Sequence, residues 1–81
     1  MATKNVTGIN RTWVLLSSAA QGRFEHSSSS TCSYASGTTP PASGFVGHDI
    51  RANEPLDFIN TTGENLYGYS VENCTWTVSE G

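Results

Sequence analysis

Charge is scarce in this chain. Charged residues make up 14% of its 81 positions, against about 25% in an average soluble domain. Only Lys4, Arg11, Arg23 and Arg51 are basic, and they are scattered. No patch or stripe is there to follow a phosphate backbone, so direct nucleic-acid binding is not expected. No apolar run approaches the ~20 residues of a membrane-spanning helix. Met1 is followed by ATKNVTG, without the apolar core of a secretory signal, so synthesis in a cytoplasm is expected. Segments of helical period and internal repeats are also missing.

The chemistry-bearing patterns are equally thin. His26, Cys32, His48 and Cys74 carry the right atoms for zinc, but they stand 6, 16 and 26 positions apart. Structural zinc sites draw their ligands from close pairs such as C-x₂-C. His48 and Asp49 invite comparison with a hydrolase triad, yet no G-x-S-x-G elbow occurs. Neighbours on a strand also point to opposite faces. Four N-x-[ST] sequons (at Asn5, Asn10, Asn60 and Asn73) fall in a chain dense with Ser and Thr, where such matches arise cheaply. Neither catalysis, nor a metal, nor a cofactor is expected.

What the chain has is Ser, Thr, Asn, Gly and eight aromatics: Trp13, Phe24, Tyr34, Phe45, Phe58, Tyr67, Tyr69 and Trp76. That mixture favours strands. RTWVLL (11–16), RFEH (23–26), STCSYAS (30–36), GFVGHDI (44–50), LDFIN (56–60), LYGYSV (66–71) and CTWTVS (74–79) read as strands. Period-two alternation is cleanest in the last, with Cys74, Trp76 and Val78 on one face. TTGEN (61–65) reads as a hairpin loop and Glu72-Asn73 as a tight turn. The serine-rich stretch 27–44 is not a linker, because the 26 and 37 residues flanking it are too few for two cores. The expected fold is all-β: a small antiparallel β-sandwich or partly open barrel of seven to eight short strands. Residues 1–10 form an N-terminal arm or edge strand, and 11–81 a single domain.

Cys32 and Cys74 both fall on apparent core faces. They are either a disulfide, worth ~4 kcal/mol through a loop of about 40 residues, or two buried thiols acting as small hydrophobes. Cytoplasmic synthesis favours the thiols. Tyr67 and Tyr69 share a strand face around Gly68, with Phe45 at a loop edge, which suggests a carbohydrate-binding module. Strand aromatics more commonly serve the core. Charge is distributed unevenly: all four basic residues lie in the first 51 positions and six of seven acidic ones from Asp49 onward. Such polarity suits head-to-tail packing of subunits, although chance is the plainer reading.

The order of features adds a resemblance. TW (12–13) sits in an opening strand, followed by an F-E-H strand, TTPPASG before GHDI, NEPLDFINTTGENLYGYS (53–70) and a final TVSEG (77–81). Over roughly residues 11–81 this resembles the short all-β virion proteins of tailed bacteriophages, departing from them in its SSSSTC strand and its two cysteines. The resemblance implies a structural protein without enzymatic activity or cofactor. It would be a capsid decoration or cementing protein, with a tail or fibre component as the alternative. Its partners would be the major capsid protein or other virion proteins, and its own copies in a homo-oligomer such as a trimer. It would be made in the host cytoplasm and carried on the virion. A core this small also gains stability from assembly. The residues expected at the partner contact are Lys4, Asn5, Val6 and Ile9 of the N-terminal segment, and Phe45.

Overall fold

A computed structural model describes residues 2–29, 31–42 and 46–80, which form eight strands and no helix. These are β1 (Ala2–Gly8), β2 (Thr12–Ser17), β3 (Gln21–His26), β4 (Cys32–Gly37), β5 (His48–Ile50), β6 (Leu56–Ile59), β7 (Asn65–Ser70) and β8 (Cys74–Glu80). One sheet, here sheet A, has the order β1-β8-β3-β6; the other, sheet B, has β2-β7-β4-β5. Every ladder within them is antiparallel. The Cα radius of gyration, 11.3 Å, matches the roughly 12 Å of a single compact unit of this length, which leaves no room for an extended stalk.

The pairing has a simple logic. β1 pairs with β8, β2 with β7, β3 with β6 and β4 with β5. The chain is one long hairpin, doubled at β4–β5 and wrapped so that alternate pairs fall in opposite sheets. This is the jelly-roll arrangement of two Greek keys. It corrects the hairpin expected at TTGEN and fixes where the tight turn at Glu72-Asn73 leads. TTGEN does not close a hairpin, because β6 lies in sheet A and β7 in sheet B. The Glu72-Asn73 turn likewise carries the chain from sheet B to sheet A. Of strands adjacent in sequence, only β4 and β5 are hydrogen-bonded neighbours.

The basic first half lies against the acidic second half, and the ion pairs Lys4–Glu80 and Arg23–Asp57 bridge β1 to β8 and β3 to β6.

Residues 2–8 form an edge strand, in register with β8 from Ala2↔Glu80 to Gly8↔Cys74. The serine stretch divides into two parts. β4 begins at Cys32, later than the Ser30 start expected, and Ser28 and Ser29 belong to the passage from sheet A to sheet B. Their hydroxyls both donate to Glu72 Oε1, at 2.7 and 2.9 Å.

Between the sheets lie Leu16, Phe24, Cys32, Ile50, Phe58, Leu66, Trp76 and Val78. Each fully buried aliphatic or aromatic side chain contributes roughly 1.5–3 kcal/mol. Phe24 is central: its ring centroid stands 5.1 Å from Tyr34, 5.9 Å from Phe58 and 6.2 Å from Trp76. A bulge between Leu15 and Ser17 sends both Leu16 and Ser17 inward. Gly68 is required where Trp76 crosses β7, because a Cβ there would stand 2.8 Å from Trp76 Cζ2 and 2.9 Å from Leu16 Cδ1. Gly63, at φ +85°, makes the turn between β6 and β7, in which Glu64 N donates to Thr61 O.

Candidate functional site

Alternation fixes what each sheet presents. In sheet A, Val6, Trp76, Val78, Phe24 and Phe58 face the core. The residues between them therefore face out. Across β1 and β8 the outward set is Thr3, Asn5 and Thr7 beside Ser79, Thr77 and Thr75, an uncharged field of hydroxyls and one amide. Thr3 Oγ1 and Ser79 Oγ lie 3.2 Å apart, and the Thr77 hydroxyl donates to Asn5 Oδ1 at 3.4 Å. Farther across, Gln21, Arg23 and Glu25 on β3 and Asp57 and Ile59 on β6 continue the face, with Glu25 beside Thr77.

An open depression of about 560 Å³ lies there, lined by Gln21, Gly22, Arg23, Asp57, Phe58, Ile59 and Ser79. Arg23 Nε donates to Asp57 Oδ1 at 2.8 Å, and that carboxylate holds the Arg23 pKa above its ordinary value. Both side chains are largely solvated, so the pair positions groups more than it stabilises the fold. Ile59 is 81% exposed, a large apolar side chain on the edge strand of an otherwise polar face. LDFIN carried the signal for it: once Phe58 faces inward, its apolar neighbour must face outward.

Sheet B differs. Leu66 and Gly68 face the core, so Tyr67 and Tyr69 face outward. Even so, Tyr67 is only 5% exposed, and its hydroxyl accepts from Asn65 Nδ2. Trp13 leans on Tyr69, with centroids 5.3 Å apart at 46°. The backbone leading into β5 passes close by: a Cβ on Gly47 would stand 2.9 Å from Trp13 Cη2. The two tyrosines thus present no open side-by-side platform.

The residues expected at a partner contact are spread around β1. Asn5 belongs to the outward field. Val6 packs against the core. Lys4 pairs with Glu80 at 3.4 Å, and the Glu80 carboxylate also accepts from the Ser17 hydroxyl. The Ser17 bond, followed by Lys4, holds the Glu80 pKa below its ordinary value. Ile9 is half-exposed in the β1–β2 connection, as is Val71 in the β7–β8 connection, and the two connections are tied by Asn10 N donating to Asn73 Oδ1 at 2.9 Å. Phe45 lies outside the described residues.

The two cysteines both point between the sheets, Cys32 from β4 and Cys74 from β8. Both are thiols, Cys32 within the core cluster and Cys74 packed against it. Burial, with Cys74 beside it, pushes the Cys32 pKa up to about 11. His26 completes the group. Its Nε2 lies 2.8 Å from the Ile50 carbonyl, which can only accept, and its Nδ1 lies 3.1 Å from the Ser28 amide, which can only donate. The proton therefore sits on Nε2, and the Cys32 thiol, 3.5 Å from Nδ1, is a second donor to that nitrogen. A cysteine with a raised pKa is a poor nucleophile. Among the described residues no three His, Cys, Asp or Glu side chains gather as a metal site.

No protein-family model matches this chain, and neither a curated protein nor a solved structure does.

Proposed function

We propose that this chain is a virion structural protein of the tailed-phage type, which decorates or cements an assembled capsid. The observation that carries the reading is the outer face of sheet A. Its neutral field across β1 and β8 needs little desolvation of charge when covered, and exposed Ile59 beside an open depression supplies an apolar anchor. Eight short strands around one small core leave a modest margin of stability, and docking onto a shell adds burial to it. Partners are the major capsid protein and further copies of this chain, with a trimer the simplest ring around a threefold position. The chain is made in the host cytoplasm and works on the particle.

Jelly rolls also occur in lectins, and a fold alone does not decide between such roles. The outward Trp13–Tyr69 pair favours the second reading, a carbohydrate-binding module, in which aromatic rings stack on a sugar. The deciding experiment is mass spectrometry of purified particles separated into heads and tails. The capsid reading expects the chain in the head fraction. Finding it only in tails would move it to the tail or fibre, and its absence from both would reject the virion reading.

A further inference from the structure

We infer that Cys32 and Cys74 form a redox pair that closes into a disulfide between the two sheets when the protein meets an oxidising medium. The inference is independent of what the outer faces bind. Cys32 projects from β4 of sheet B and Cys74 from β8 of sheet A. Both side chains enter the same end of the core: Cys32 Sγ lies 3.5 Å from His26 Nδ1, Ser27 N donates to Thr75 O and so sets the chain after His26 beside Cys74, and Cys74 packs against the cluster that contains Cys32. Position in the chain favours it as well, since the bridge ties the first half of the wrapped hairpin to its last strand. Such a tie removes much of the freedom of the unfolded chain.

The two sulfurs differ in access. Cys32 is 2% exposed, whereas Cys74 is half-buried at the end of β8 against Gly8. An external disulfide therefore meets Cys74 first. With a small-molecule disulfide as oxidant, the Cys74 thiolate attacks one sulfur and releases one small thiolate, giving a mixed disulfide. Cys32 then attacks the Cys74 sulfur and expels the second small thiolate. The Cys32 proton passes to His26 Nδ1, its existing hydrogen-bond acceptor, and on to solvent. Two S–H bonds are lost from the protein and one S–S bond is gained, while the oxidant becomes two small thiols. His26 is thus a positioning residue that supplies the acceptor for a thiol burial would otherwise hold inert.

The test treats the folded full-length chain with oxidised glutathione, followed by thiol titration, intact mass and thermal unfolding. The wild-type protein is expected to lose both thiols as a monomer without retained glutathione. Its Tm should rise by roughly 10 °C or more, and dithiothreitol should reverse the rise. Cys32→Ser should hold glutathione on Cys74 as a stable mixed disulfide. Cys74→Ser should leave the Cys32 thiol unmodified while the protein stays folded. The inference is overturned if wild-type protein stops at glutathionylated Cys74, if it dimerises through Cys74, or if the internal bond forms only in denaturant.

Discussion

His26 Nδ1 accepts from the Cys32 thiol at 3.5 Å while its Nε2 donates to the Ile50 carbonyl at 2.8 Å. One imidazole from sheet A thereby ties two inward groups of sheet B, and its ring also lies 5.2 Å from Trp76. His26→Ala would strip the Ile50 carbonyl and Ser28 amide of their partner inside the core. The expected loss is about 2–4 kcal/mol, a large share of the stability available to a domain this small. Urea unfolding of the variant measures it, and a loss below about 1 kcal/mol would contradict the described network.

Alkaline pH should loosen the fold through Cys32. Its folded pKa, about 11, stands above the ordinary value of 9.0 because burial disfavours the thiolate. The group's contribution is therefore fully present below pH 9 and is lost as pH rises towards 11. Stability measured under reducing conditions across that window should fall, and Cys32→Ala should flatten the fall.

Acid acts at the opposite end of the chain. The Glu80 carboxyl titrates below its ordinary value, chiefly because of the Ser17 hydroxyl and then Lys4. Its contribution is present above the unfolded pKa and is lost as pH falls through the lower folded one. NMR titration should place Glu80 nearer the ordinary glutamate range in Ser17→Ala, with a smaller upward move in Lys4→Ala.

Trp76 is fully buried, yet its Nε1 has no hydrogen-bond partner among the described residues. Trp76→Phe removes that unsatisfied donor along with some volume, so its cost should be well below the roughly 3–5 kcal/mol of Trp76→Ala. Gly68→Ala brings a methyl within 3 Å of Trp76 and Leu16 and should cost about 1–3 kcal/mol by overpacking. In the Gly68→Ala, Trp76→Phe double variant the two costs should fall short of additive. Thermal unfolding of the three proteins decides this.

The strands themselves were legible, because Cys74, Trp76 and Val78 alternate with Thr75, Thr77 and Ser79 on β8 and burial follows that alternation. Which strand pairs with which was not. Alternation carries faces but no partners, and loops of hairpin length such as TTGEN serve equally well to cross between sheets. The bulge at Leu15 and Ser17 breaks the period locally, so Ser17 could not be read as an inward partner for Glu80. Ser28 and Glu72 meet only because β3 and β8 run side by side, and the placement of Cys32 and Cys74 in one core cluster depends on the same wrapping. Ile59 was readable in principle from the inward turn of Phe58. The roles of Lys4 and Val6 depended on the register of β1, which no spacing within residues 1–10 encodes.

The central claim is that the outer face of sheet A docks on an assembled shell. Co-sedimentation of the purified chain with intact capsids tests it most directly, using wild type, Ile59→Lys and Thr77→Arg, each checked for unchanged thermal unfolding. The account predicts that wild type binds capsids and not unassembled capsid subunits, and that each substitution weakens binding at least tenfold. Equal binding by all three proteins, or no binding by wild type, would contradict it.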